Sequence, residues 1–333
     1  MEDNNVELNQ QEHLENRLDL GPVKDMTDKI RNEIHKVVVG QDEMISLMLA
    51  GLYTGGHVLL EGVPGIAKTL TVNLLAKTLN LEFKRIQFTP DLMPADVTGT
   101  SVFNMKSSEF EFRHGPIFAN LVLIDEINRS PAKTQAALFE VMEEQQVTID
   151  GRTHPLPGPF MVLATQNPIE QEGTYKLPEA QQDRFLFRIK IAYPSLSEEV
   201  EILKRFESDF NQSGIDTVKS VVNRADLELC KQIIQKVHIK SELLEYIAAI
   251  IHHTRETGDL FLGASPRASL AIVKTSKALA AMQGRDFVTP DDIRYAAFPV
   301  LNHRIILSPE REMEGIDVKD VLDDIFKKIE IPR

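Results

Sequence analysis

The spacing of apolar residues changes character part-way along the chain. From Val23 to about Ala192, short apolar runs alternate with helical patterns, and after Pro194 the pattern is helical throughout. Five runs read as strands, at residues 57–61, 85–89, 121–125, 160–165 and 185–191. Leu121-Val122-Leu123-Ile124 is unbroken, which fits a strand buried on both faces of a parallel sheet. In the last run Phe185, Phe187, Ile189 and Ile191 alternate with Leu186, Arg188 and Lys190, the mark of a half-exposed strand. Ser130 and Pro131 read as the N-cap and first-turn proline of a helix running to about Glu144. Residues 104–113 and 147–156 read as strand-turn-strand inserts, the second turning at Asp150-Gly151. Helices are predicted at 226–237, 241–257, 265–283 and 290–298. The pattern predicts an α/β domain over 21–194, with a parallel five-stranded sheet flanked by helices, and a small all-helical domain over 195–333. Residues 1–20, rich in Asn, Gln and Glu, carry too few apolar groups to order and read as a mobile arm.

Composition narrows the class. A chain of 333 residues carries a prior of two domains, and 42% hydrophobic with 26% charged residues is ordinary globular usage. The one cysteine, Cys230, excludes an internal disulfide and sits in an apolar helical stripe with Leu227, Leu229, Ile233 and Ile234. The acidic start lacks a basic n-region and an apolar h-region, and no stretch approaches 18 unbroken apolar residues, so a soluble cytoplasmic protein is expected. The net charge of −13 repels phosphate backbones, and 6% aromatics without any Trp offer few stacking platforms, which disfavours nucleic acid as the main partner.

The sharpest chemical signal is Gly62-Val63-Pro64-Gly65-Ile66-Ala67-Lys68-Thr69, with Leu70 continuing into a helix. It follows the strand Val58-Leu59-Leu60 and opens a helix, so backbone N–H groups and the helix dipole can cradle phosphates. Lys68 suits the β- and γ-phosphates of a nucleotide, and the Thr69 hydroxyl suits Mg²⁺. Ala67 stands where glycine is usual; alanine resists positive φ, so the loop is expected to need ordinary helical φ there.

The apolar strand 121–124 delivers Asp125 and Glu126 to its C-terminal end, where open α/β sheets place ligands. Asp125 suits a hydrated Mg²⁺ and Glu126 the deprotonation of an attacking water. Asn167 follows the fourth strand and either positions that water or the γ-phosphate, or is a turn residue before Pro168. Arg184 precedes the fifth strand and either stabilises charge on the transferring phosphoryl group or pairs with Asp183. Arg267, in the first turn of a helix opened by Ser265-Pro266, is either a phosphate contact or a plain surface arginine. His252-His253 are adjacent on a helix, point in different directions and make a poor metal pair.

Taken in this order the phosphate loop, Asp125-Glu126, Asn167, Arg184 and Arg267 resemble the AAA+ ATPases. Within them the chain resembles the MoxR family, through the alanine before Lys68, Gly115-Pro116-Ile117-Phe118-Ala119-Asn120, Asp125-Glu126-Ile127-Asn128-Arg129-Ser130-Pro131, the string Ala164-Thr165-Gln166-Asn167-Pro168-Ile169-Glu170-Gln171-Glu172-Gly173-Thr174-Tyr175, Leu177-Pro178-Glu179-Ala180-Gln181 and Asp183-Arg184-Phe185. Ser130 departs from an alanine and Lys176 from a proline. The resemblance runs from about Val38 to the C-terminus. It implies a P-loop NTPase fold and a ring, usually hexameric, with ATP at subunit interfaces. Arg184 would reach the neighbour's site, while Lys68, Thr69, Asp125, Glu126, Asn167 and Arg267 serve their own. Residues 38–41, with Val39 and Gly40, would lie against the adenine. The two inserts would face a protein client, which such proteins remodel or activate, sometimes during metal-cofactor insertion and with a von Willebrand factor A-domain partner. A chelatase-like or DNA-linked ring motor is a near alternative. A nucleotide-gated scaffold with little turnover is a further one, against which the Asp125-Glu126 pair argues.

Overall fold

The computed structural model describes residues 18–63, 65–167, 175, 177–208 and 214–332. Two helices, α1 (Gly21–His35) and α2 (Asp42–Thr54), precede a sheet made of β1 (Val58–Glu61), β2 (Phe83–Gln87), β5 (Leu121–Asp125), β8 (Met161–Gln166) and β9 (Phe187–Lys190). The order across the sheet is β2-β5-β8-β1-β9, and every pairing is parallel. Helix α3 (Lys68–Thr78) returns the chain from β1, and α5 (Ala132–Glu144) follows β5.

The unbroken apolar strand reads as it does because each face has its own core. Leu121 and Leu123 join Val58, Leu60 and Leu163 on one side. Val122 and Ile124 join Leu59, Val162 and Ala164 on the other. Edge strand β9 pairs only with β1, so its even positions are less enclosed and Lys190 is exposed. Helix α5 begins one residue later than the predicted cap. Pro131 holds that place without a side-chain bond, and Ser130 is extended and buried instead. Its carbonyl accepts from Gln135 Nε2 at 3.1 Å. The first insert is longer than its predicted 104–113, pairing β3 (Gly99–Asn104) with β4 (Glu109–His114) after a short helix α4 (Pro94–Thr98). The second, β6 (Gln146–Ile149) and β7 (Arg152–Pro155), turns at Asp150-Gly151 as expected.

Beyond β9 come α6 (Leu196–Ser208), α7 (Arg224–Gln235), α8 (Ser241–Glu256), α9 (Pro266–Met282), α10 (Pro290–Leu301) and α11 (Val318–Lys328). Among the described residues this region is helical apart from its loops, one short antiparallel pair, Leu260–Leu262 with Ile306–Leu307, and an isolated bridge between His238 and Phe287; the sequence pattern announces neither pairing. Ile272, Ile293 and Val321 of these helices join the first core. So does Leu20, inside the stretch read as an arm, of which residues 1–17 lie outside the described residues. Cys230 is buried in the same core, with its thiol 3.8 Å from the Met26 sulfur.

Arg304, just past α10, ties the helical region to the chain between β8 and β9. Its Nε donates to Asp183 Oδ1 at 2.7 Å, and its Nη2 to the Phe185 carbonyl at 2.6 Å. His303 Nε2 lies 3.0 Å from that same carbonyl, and Asn302 Nδ2 donates to the Arg188 carbonyl at 2.9 Å. A guanidinium buried this completely is tolerable because a carboxylate and several carbonyls satisfy it.

Two buried imidazoles make the fold acid-sensitive. The Val162 N–H donates to His57 Nδ1 at 3.0 Å, and His57 Nε2 lies 3.0 Å from the Met142 carbonyl, an arrangement suited to the neutral ring. Burial holds the His57 imidazole down at about 4 and that of His303 well below its ordinary value. The unfolded chain therefore takes up these protons first, so stability is full above about pH 6.5 and is lost as pH falls toward 4. Going from pH 7 to pH 5 is expected to cost about 2 kcal/mol through His57 alone. Thermal melts across that range should show a falling midpoint; a flat or rising one would mean that protons reach the ring in the folded state.

Candidate active site

The C-terminal ends of β1, β5 and β8 open onto one cleft of about 420 Å³, lined by Gly65, Ala67, Lys68, Thr69, Leu70, Arg85, Gln87, Asp125, Glu126, Thr165 and Asn167. Residues from four separate stretches meet here because parallel strands all deliver their C-termini to one edge. The phosphate loop turns at Gly65, with φ +89°, and Ile66 is buried beneath it. Val63 and Ile66 support the loop without lining the cleft, and Pro64 lies outside the described residues. Ala67 overturns the expectation of helical φ. It caps α3 in the left-handed region, at φ +60° and ψ +20°, because the chain must reverse there to start the helix. A side chain in that region costs about 1–2 kcal/mol, which glycine would not incur.

Lys68 Nζ donates to the Gly62 carbonyl at 2.5 Å. Partial burial lowers its pKa, opposed by the charges of Asp125 and Glu126. Asp125 is buried at the foot of the cleft. The Thr165 hydroxyl donates to its Oδ1 at 3.2 Å, and Arg85 Nε donates to its Oδ2 at 2.5 Å. Glu126 follows in a left-handed turn, φ +56°, and its backbone N–H donates to Thr165 Oγ1 at 3.0 Å. Gln87 Nε2 donates to Glu126 Oε2 at 2.7 Å, and Arg129 Nε lies 3.1 Å from the same oxygen. Thr69 and Asp125 thus place a hydroxyl and a carboxylate on one cleft, hard oxygen donors of the kind Mg²⁺ takes.

Arg85, Gln87 and Thr165 carried no role in the sequence reading. The available signal was the two-residue spacing on β2, which puts Arg85 and Gln87 on one face, with Gln87 in register with Asp125.

The two arginines read as phosphate contacts are elsewhere. Neither Arg184 nor Arg267 lines the cleft. They meet at Glu143, near the end of α5, where Arg184 Nη2 lies 3.0 Å from Oε2 and Arg267 Nη2 3.2 Å from Oε1. Arg184 Nη1 also donates to the Phe139 carbonyl at 2.8 Å. Asp183, the alternative partner of Arg184, is taken by Arg304 and stands 3.8 Å from Arg267 Nη1. A crevice of about 360 Å³ with Lys274 and Arg304 adjoins this pair. The expectation that Arg267 serves its own chain's phosphates does not match this placement: α9 starts beside Arg184, not beside Lys68.

A third crevice of about 280 Å³ runs between the start of α2 and the chain after β9, with Gln41, Ile191, Tyr193 and Glu198 on its walls. Gly40 abuts it at φ +66°, where a Cβ would fall 2.0 Å from Glu198 Oε1. Val39 is half-buried alongside. The string from Pro168 to Thr174, and Lys176, lie outside the described residues.

Residues 57–187 match the ATPase family associated with various cellular activities (AAA), and residues 252–325 match an AAA lid domain. The chain is 43% identical over 310 residues to Chaperone MoxR1 of Mycobacterium tuberculosis, covering 90% of this chain and 81% of that one. The chain belongs to the MoxR family of AAA+ ATPases. YeaC of Bacillus subtilis is 47% identical over 304 residues, 91% of this chain and 94% of its own. Protein MoxR of Methylorubrum extorquens is 28% identical over 333 residues, 93% and 96% of the two chains. A solved structure from Cytophaga hutchinsonii superposes with a TM-score of 0.85 at 44% identity, covering 98% of this chain and all of that one. As a MoxR-type ATPase the chain has the nucleotide-binding domain and helical lid of its family, and among its described residues no helix is long and apolar enough to cross a membrane.

Proposed function

We propose that this chain is an Mg²⁺-dependent ATP hydrolase working as a ring, in which each cleft is completed by Arg184 and Arg267 of the next copy. The observation that carries the reading is the separation of the two halves of the site: Lys68, Asp125, Glu126 and Asn167 share one cleft, while the arginine pair sits together at Glu143. An arginine pair that lines no part of its own cleft is placed to serve the phosphate of another copy's cleft. On this reading Arg267 acts with Arg184, across the interface.

The chemistry is mainly positioning and charge stabilisation. The Glu126 carboxylate takes a proton as the water oxygen bonds to the γ-phosphorus, the bond to the β–γ bridging oxygen breaks, and ADP and phosphate leave. Asn167 orients the water, Lys68 and the loop amides hold the β- and γ-oxygens, and Thr69 with Asp125 would hold the metal. Mg²⁺ bound there would neutralise charge on the phosphates. Residues 39–41 and the crevice beside them would take the adenine.

The output is remodelling or activation of a protein client, in the cytoplasm, together with a von Willebrand factor A-domain partner; metal-cofactor insertion is one such activation. The exposed tip of the first hairpin supports a protein client, for Phe103, Met105 and Phe110 stand in solvent there. That apolar tip and the net charge of −13 favour a polypeptide over DNA.

The test is mass by light scattering with and without Mg-ATP. The native chain should grow from a single copy toward a closed ring, near six copies, and Lys68→Ala should not. An unchanged mass, with nucleotide bound, would contradict the ring.

A further inference from the structure

The acidic foot of the cleft already has a cation from its own chain. Arg85 leaves edge strand β2, which pairs only with β5, and reaches across to Asp125. Its side chain is a little over half exposed (54%), whereas that of Asp125 is only 10% exposed. The Thr165 hydroxyl holds Oδ1 and Arg85 holds Oδ2, so the carboxylate is satisfied with nothing bound. Lys68, the other cation of the cleft, is turned to the Gly62 carbonyl instead.

From this geometry we propose that Arg85 is a tethered stand-in for the metal, which neutralises Asp125 until Mg-ATP arrives and so sets the magnesium level at which nucleotide is accepted. The proposal rests on the Mg-ATP reading of the cleft and adds a control to it. A dication and a guanidinium cannot share one small carboxylate without repelling each other. One must leave, and the mobile one is the arginine, on a long side chain at an open sheet edge. The displaced guanidinium returns to water at that open edge, where the Arg85 side chain is already half exposed. When nucleotide leaves, Arg85 returns and Asp125 is not left as a buried, unpaired charge. Arg85 is thus a positioning residue that acts through Asp125.

The experiment titrates Mg²⁺ into the full-length chain at a fixed concentration of a fluorescent, non-hydrolysable ATP analogue and reads the Mg²⁺ midpoint of binding. Arg85→Gln keeps hydrogen-bond donors but removes the charge, and should lower the midpoint about three- to tenfold. Arg85→Lys keeps the charge and should stay within about twofold of the native chain. Arg85→Met removes charge and donors together and should shift the same way as Arg85→Gln, which covers the case in which one variant misfolds. A midpoint that stays put or rises in the neutral variants overturns the proposal. So does loss of analogue binding by both neutral variants at every Mg²⁺ level while their melting curves stay cooperative, because Arg85 would then be an obligatory phosphate contact. Failure of the native chain to bind the analogue is a different result, which removes the nucleotide reading itself.

Discussion

Glu126→Gln is expected to keep Mg-ATP binding within about threefold while turnover falls by roughly 10²–10⁴, the usual worth of a positioned general base. The side chain keeps its size and an oxygen for Gln87 Nε2 to reach, so the pocket survives. It loses the ability to accept a proton. The left-handed turn at Glu126 and the Thr165 hydroxyl under its backbone N–H fix where that oxygen points. Phosphate release measured beside nucleotide affinity checks the result. Turnover within tenfold of native would remove Glu126 from its role.

Arg184→Ala has the second large expected effect. Turnover should drop about 10³-fold, at the lower end of what an arginine finger contributes. The affinity of an isolated chain for Mg-ATP should barely move, because Arg184 does not line that chain's cleft. A merely structural role predicts something else. Losing the bond to the Phe139 carbonyl and the ion pair with Glu143 would cost about 1–3 kcal/mol of stability together and leave chemistry intact. Affinity, melting and turnover measured on one preparation separate the two. Arg267→Ala should behave alike with a smaller loss, since it is the more exposed member of the pair.

The parts of the molecule legible in its sequence are those that local backbone chemistry dictates. Unbroken apolarity at Leu121–Ile124 marks a strand enclosed on both faces, and alternation through Phe187 and Ile189 marks an edge. The phosphate loop is readable because strand, glycine turn and helix start lie within a dozen residues. Side chains that meet across long stretches are not. Arg85 and Asp125 are 40 positions apart, and Arg267 and Glu143 are 124 apart. Nothing near Arg267 says which side of the nucleotide-binding domain its helix will face. That depends on how the lid docks, through buried Arg304 on Asp183 and Asn302 on Arg188. Ala67 shows the opposite limit, a local rule set aside because a tertiary turn requires left-handed backbone there. Ser130 shows it again, with a good capping residue drawn into the interior and its cap position left to Pro131.

The central claim is that a working site needs two copies of the chain. Mixing tests it most directly. Arg184→Ala chains have an intact Glu126 but no finger to give, and Glu126→Gln chains have a finger but no base. Each alone should be nearly inactive. Combined in varying ratio, they should recover turnover at interfaces where an Arg184→Ala cleft meets a Glu126→Gln neighbour, with a maximum near equal amounts. No recovery at any ratio, although the two proteins co-assemble, would contradict the account.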